Sequence, residues 1–241
     1  MKPTKFNELK PSVVLGIAAH PDDLDFGAGG TMALFANQGA EVHYLILTDG
    51  SKGSEDYNAS TKDLTALRQA EQRAAVDAIG GKGVTFLHYP DGELEVTMKL
   101  KKDIVQVIRT IKPDVVITMD PSMLYSARRG FINHPDHRAA GQATLDAVFP
   151  LARDHLSFPE LFKNGFIPHK TKTVLLTNFD NGNFYIDITS TFKHKIAALT
   201  AHTSQIADIK NTTLWMESIA KATGEQAGYN LAESFVRIDV Q

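Results

Sequence analysis

Between residues 12 and 19 the chain is almost wholly apolar, Val13-Val14-Leu15-Gly16-Ile17-Ala18-Ala19, and it turns polar at His20. A short apolar run bounded in this way reads as a buried strand. The pattern returns at 42–47, 84–87 and 115–118. Stretches of helical period separate these runs. One covers 29–38 and stops at Gly39; another follows Ser60 and Asp63, spaced like a capping box, and stops at Gly80-Gly81. A third, over 96–111, places Leu100, Ile104, Val107, Ile108 and Ile111 on one face before Lys112-Pro113 end it. Four strands alternating with three helices predict a mostly parallel sheet covered on both faces, a Rossmann-like three-layer α/β fold. The stretch His134-Pro135-Asp136-His137 and a helix carrying Ala139, Ala140, Ala143 and Ala147 follow the fourth strand.

From about residue 150 the pattern changes. An irregular stretch with Pro150, Pro159 and Pro168 leads to strand candidates at 173–178 and 184–188, two helical patterns and a last strand near 234–239. Neither a linker nor an internal repeat forces a boundary. The expectation is one domain over 1–241, with a core at 1–150 and a C-terminal extension at 151–241 that shapes a substrate mouth.

Composition narrows the function classes. Apolar residues at 43% and charged residues at 22% suit a globular chain of 241 residues with a full core. A formal charge of −3 offers no basic field, so nucleic acid is not an expected partner. The absence of cysteine excludes disulfides, thiolate metal sites and a catalytic thiol. Residues 1–8 lack the apolar stretch of a signal peptide and no later run is long enough to span a membrane, so a cytoplasmic protein is expected.

The chemistry concentrates at two places. His20-Pro21-Asp22-Asp23-Leu24-Asp25 follows the first strand, and His134-Pro135-Asp136-His137 follows the fourth. Carboxyl ends of parallel strands share one edge, where α/β sheets hold ligands, so the two clusters can meet. Histidine and carboxylate are ligand types of a catalytic zinc, which keeps an open position for water. His20 and Asp23 can face one point while Asp22 stays beside it, and a further ligand has to come from elsewhere. Asp near a helix start is also a good cap, and Asp136 can cap the following helix. The glycines at 27, 29 and 30 do not make a dinucleotide fingerprint, because the third glycine would fall at Met32. They are expected to let the helix start pack close to the metal loop. His-Pro-Asp also serves as an interaction motif on the small helical hairpin of co-chaperone J-domains, but here it follows a strand both times. His43, His88, His155, His169 and His194 lie in no such cluster.

Ala19-His20-Pro21-Asp22-Asp23, with Gly29-Gly30-Thr31 behind it, resembles the signature of the PIG-L/LmbE-like N-deacetylases. The resemblance continues through Thr48-Asp49-Gly50, Leu67-Arg68-Gln69-Ala70-Glu71, Tyr89-Pro90-Asp91-Gly92 and His134-Pro135-Asp136-His137-Arg138 to Ala201-His202-Thr203. It implies a hydrolase that removes acetyl from an N-acetylglucosamine-type substrate or conjugate, using Zn²⁺ or another divalent cation. It implies His20, Asp23 and His137 as metal ligands and Asp22 as general base. His134 then stabilises the oxyanion as a charged donor with Asp136 behind it, so a bell-shaped pH profile is expected, with His134 on the alkaline limb. Arg68 is implied as a substrate contact, and Asp91 and His202 as residues lining the site. Leu24 departs from the glutamate common at that position. Other readings remain open, namely a metallohydrolase of another amide or ester, or a sugar-binding member without activity. The partner is expected to be a small molecule, a homo-oligomer is left open, and the loops 54–60 and 121–133 are where specificity is expected to lie.

Overall fold

Successive side chains of a strand point to opposite faces of its sheet, and the two cores of this chain follow that rule. In a computed structural model describing residues 9–241, β1 (Val13–Ala18) sends Val14 and Ala18 to one core and Leu15 and Ile17 to the other. In β2 (Glu41–Thr48), Val42, Tyr44 and Ile46 face the first core, and Leu45 and Leu47 the second. The first core is closed by α1 (Asp23–Asn37) and α2 (Thr61–Ala78), the second by α3 (Met98–Ile111) and α4 (Pro135–Asp146). Leu15, Ile17, Ile104 and Ile108 are fully buried, and each contributes about 1.5–3 kcal/mol relative to an exposed side chain. Residues 1–8, whose composition suggested no targeting signal, lie outside the described residues.

With β3 (Gly83–Tyr89), β4 (Val115–Met119), β7 (Thr173–Thr177), β8 (Phe184–Asp187) and β9 (Ala232–Asp239), the sheet has seven strands in the order β3-β2-β1-β4-β7-β9-β8. The pairs from β3 to β7 are parallel, with Leu15 opposite Val116 and Val116 opposite Val174. β9 runs antiparallel to both β7 and β8. The C-terminal extension therefore continues the sheet of the core. A two-stranded hairpin, β5 (Tyr125–Ser126) and β6 (Phe131–Ile132), stands between β4 and α4. The short α5 (Pro159–Lys163) follows α4, and the extension also carries α6 (Phe192–Ala201) and α7 (Ile209–Ala227). No helix among the described residues is long and apolar enough to cross a membrane.

The largest departure from the hydropathy pattern is the start of α1, at Asp23 rather than near residue 29. Its first turn holds Asp23 and Asp25, which suit the positive end of a helix but break the apolar period. The glycines of α1 also have another role than expected. A Cβ on Gly30 would sit 2.8 Å from Ile188, and one on Gly29 would sit 3.3 Å from Lys195. They admit the C-terminal extension, not the histidine loop. Glu233 of β9 tightens this contact by accepting from the N–H groups of Gly30 (3.0 Å) and Thr31 (2.8 Å). Lys195 Nζ binds the same carboxylate at 2.6 Å and donates to the Phe26 carbonyl at 2.6 Å.

Candidate metal centre

β1 stands between β2 and β4, so successive connections leave it in opposite directions and a crevice opens at their carboxyl ends. His20 lies just past β1, and His134 and His137 lie at the start of α4. Ring centroids of His20 and His134 are 4.8 Å apart, and each is 5.3 Å from that of His137. One donor nitrogen from each of the three falls within 4.8 Å of the other two. Asp23 sits among them. Its Oδ1 is 2.9 Å from His137 Nε2 and its Oδ2 is 3.5 Å from His20 Nδ1. The His20 N–H donates to the same Oδ2 at 2.7 Å, which holds the motif's turn closed.

The far nitrogens of two rings are occupied. His20 Nε2 lies 3.0 Å from Asp91 Oδ1 and 3.3 Å from Asp136 Oδ2. His137 Nδ1 is 3.0 Å from Asn133 Oδ1. Both carboxylates are themselves fixed, Asp91 by the N–H of Lys52 (3.0 Å), Asp136 by those of Gly92 (2.7 Å) and Leu94 (3.2 Å). An imidazole held from behind by a carboxylate or amide is how ligating histidines are oriented. His20, Asp91 and Asp136 also converge as a second possible donor group. Their oxygens are already engaged by backbone N–H groups, so they form the support behind His20. His20, His134 and His137 thus form a donor group that could hold a metal ion, with the Asp23 carboxylate between His20 and His137.

Electrostatics agree with that fit. Burial disfavours a charged His20, yet Asp23, Asp136 and Asp91 together push its pKa up to about 12. Burial likewise opposes the ionised Asp23, but His137 and His20 hold its carboxyl well below the usual range. A buried pocket of fixed negative charge is where a cation displaces protons.

Asp22 is set apart from this cluster. It stands just before α1 without a side-chain capping bond, at a φ of 93°, a region costly for a residue with a Cβ, by about 1–3 kcal/mol. Gln72 Oε1 accepts its N–H at 2.9 Å, and Gln72 Nε2 donates to Asp25 at 3.0 Å. Asp25 is further held by Tyr44 (3.0 Å) and His202 (2.8 Å). Burial, then the charge of Asp23, pushes the Asp22 carboxyl up to about 7, against the pull of Arg68.

Of the expected site residues only Asp23 and His137 line the cavity; His20, Asp22 and His134 stand beside them, and Arg68, Asp91 and His202 are buried behind. Arg68 is buried, and its guanidinium donates to the carbonyls of Pro21 (2.9 Å), Gly50 (3.2 Å) and Lys52 (3.2 Å) and reaches Asp22 at 3.4 Å. It clamps the loops around the first motif. Asp91 stands behind His20, and His202 is wholly buried against Asp25. Asp136 also differs from expectation, since its carboxylate supports His20 and only its backbone N–H reaches His134, at Nδ1, 3.2 Å. An accepting Nδ1 carries no proton, and burial followed by the charge of His20 lowers the pKa of His134. With Nδ1 accepting, the proton His134 can donate is on Nε2, and the expected bond between the Asp136 carboxylate and this ring is not made.

A cavity of about 520 Å³ opens on Asp23 and His137. Its walls come from α1 (Phe26), the 121–133 loop (Met123, Phe131), the turn after β7 (Phe179) and α7 (Trp215, Ile219). Residues 54–60 contribute nothing to it. These positions escape a linear reading because each sits alone in its element and looks like ordinary core or surface.

The fold and site are an α/β sheet with two His-Pro-Asp motifs joined at its carboxyl edge. The family model described as PIG-L, GlcNAc-PI de-N-acetylase, matches residues 15–148, and the chain belongs to that family. It is 33% identical over 231 residues to diacetylchitobiose deacetylase of Thermococcus kodakarensis, covering 95% of this chain and 83% of the relative. A Bacillus cereus protein named a probable N-acetyl-alpha-D-glucosaminyl L-malate deacetylase 2 is 30% identical, with 80% of this chain and 83% of that protein covered. Among solved structures, the N,N'-diacetylchitobiose deacetylase of Pyrococcus horikoshii in complex with an inhibitor superposes with a TM-score of 0.87. That match is at 29% identity and covers 95% of this chain and 84% of that one.

Proposed function

We propose that this chain hydrolyses the N-acetyl group of an N-acetylglucosamine-type substrate, with Zn²⁺ or another divalent cation held by His20, Asp23 and His137. The observation that carries the reading is the Asp23 carboxylate set between two imidazoles where a cavity opens, with the raised carboxyl of Asp22 next to it in the chain. A cation held by these residues would supply Lewis acidity toward the acetamide carbonyl and would lower the pKa of water toward about 7. Asp22 accepts the proton of the attacking water as its oxygen bonds to the carbonyl carbon. It then delivers that proton to the nitrogen as the C–N bond breaks, leaving acetate and a free amine. His134 donates from Nε2 to the carbonyl oxygen as negative charge grows there, with its ring fixed by the Asp136 N–H. Asp136 and Asp91 hold His20, while Arg68 and Gln72 hold the backbone and carboxylate of Asp22.

Substrate preference is the test. With acetate release as the common readout across substrates, the protein loaded with Zn²⁺ is expected to act on N,N'-diacetylchitobiose well above its rate on N-acetylated amino acids or on acetate esters. Preference for the esters or the amino acids would favour a metallohydrolase of another class. Saturable sugar binding without release would leave a binding protein.

A further inference from the structure

The cavity that opens on Asp23 and His137 is lined by aromatic side chains and carboxylates. Trp215 lies in its wall and is 55% exposed, unusual for so large an apolar side chain beside a site. Its ring centroid is 6.3 Å from that of Phe26, with planes inclined at 60°, so the two rings form a wedge rather than a closed stack. Phe26 belongs to the same helix as Asp23, so the wedge is positioned relative to the metal centre by α1 itself.

The charges along the same cavity are unsuited to an anion. Arg129 is its one guanidinium among the described lining residues, and Asp180 already engages it at 2.8 Å, with the Phe179 carbonyl accepting a further bond at 3.1 Å. The Arg129–Asp180 pair has no net charge, which leaves Asp120, held by Asn178 and Ser122, as the uncompensated carboxylate of this wall. A carboxylate or phosphate placed there would face like charge in a partly dehydrated site, at a cost that discriminates between ligands. A neutral pyranose is suited to it. The C–H groups on a pyranose face carry partial positive charge and pack against the negative face of an aromatic ring, while its hydroxyls can bond to Asp180 and Arg129.

We propose that Trp215 and Phe26 seat a neutral pyranose joined to the acetamido sugar, so that the chain favours neutral disaccharide units over conjugates with an anionic aglycone. The position of the acetamido sugar rests on the deacetylase reading; the wedge and its charges do not. A cavity of about 520 Å³ is within the range that takes a ligand of disaccharide size.

Trp215 is the sole tryptophan of the chain, so its emission reports on the wedge directly. The metal-loaded Asp22→Asn variant is titrated with N,N'-diacetylchitobiose, N-acetylglucosamine and N-acetylglucosaminyl malate. The emission change is expected to saturate with the disaccharide at roughly tenfold lower concentration than with either other ligand, the worth of one good aromatic contact. By calorimetry on wild type and variants, Trp215→Ala is expected to weaken the disaccharide about tenfold and leave the monosaccharide unchanged, with Trp215→Phe close to wild type. Equal weakening of both sugars by Trp215→Ala, or malate-conjugate affinity matching that of the disaccharide, would overturn the proposal. So would emission that follows protein concentration and ignores sugar, since a second copy of the chain would then cover the indole. Saturable disaccharide binding with these ratios in a wild-type protein that releases no amine keeps the seat and removes the deacetylase reading instead.

Discussion

Asp22→Asn is expected to lower kcat by roughly a hundred- to ten-thousandfold while leaving the divalent ion bound, because the amide keeps the shape of the carboxylate and cannot take a proton. Asparagine also tolerates the positive φ of position 22 better than most residues, and Gln72 can still accept its N–H. The fold should therefore survive, and the same variant has a second readout in stability. The Asp22 carboxyl is raised from 3.8 to about 7 in the metal-free protein, first by burial and then by Asp23. A raised carboxyl makes the folded state bind its proton more tightly than the unfolded chain does. That contribution to stability is complete at low pH and is lost as pH rises between those two values. Removing the titration should flatten the slope, so the metal-free variant is expected to melt above the metal-free wild type near neutral pH. Retained turnover with metal in place would show that another group is the base.

Asp23→Ala should act at the other level. This carboxylate touches both His20 and His137, and its charge is the leading attraction raising the pKa of each. Its loss removes a ligand and the field that collects a cation, so bound metal and amine release are both expected to fall to background. Asp136→Asn supplies the graded comparison. It weakens the support behind His20 and the tie to the Gly92 and Leu94 N–H groups while leaving every proposed ligand in place, and a loss of about ten- to a hundredfold in metal affinity is expected. Metal content measured on the purified variants, with chelator-buffered titrations, separates the two. Full metal occupancy in Asp23→Ala would place the ion elsewhere.

How much of this was legible in the sequence follows the physics of each feature. Strands such as Val13–Ala18 are buried on both faces, so their apolar runs are continuous and easily read. The amphipathic α3 is equally plain because one side of it faces solvent. Convergence of His20 with His134 and His137 followed from the shared edge of parallel strands, a rule of topology and not of local spacing. The start of α1 was obscured because its first turn is rich in buried carboxylates, which hydropathy counts as surface. The behaviour of Arg68 was hidden for a similar reason. A buried arginine is identified by the carbonyls around it, here Pro21, Gly50 and Lys52, and no pattern in its own helix reports them. Asp91 and Asp136 were visible as motif residues, yet which histidine they support depends on a side-chain direction that only the fold supplies. The cavity wall was the least legible part, since Phe26, Phe179 and Trp215 meet only in three dimensions.

The central claim is that a single cation held at the two His-Pro-Asp motifs enables the hydrolysis of a sugar acetamide. It is tested most directly by stripping the wild-type protein with a chelator, returning Zn²⁺ in substoichiometric steps, and recording amine release from N,N'-diacetylchitobiose at each step. Release should be at background without metal, rise in proportion to the ion added and level off at one ion per chain. Undiminished release from the stripped protein, or a bound equivalent of metal with no release, would contradict it.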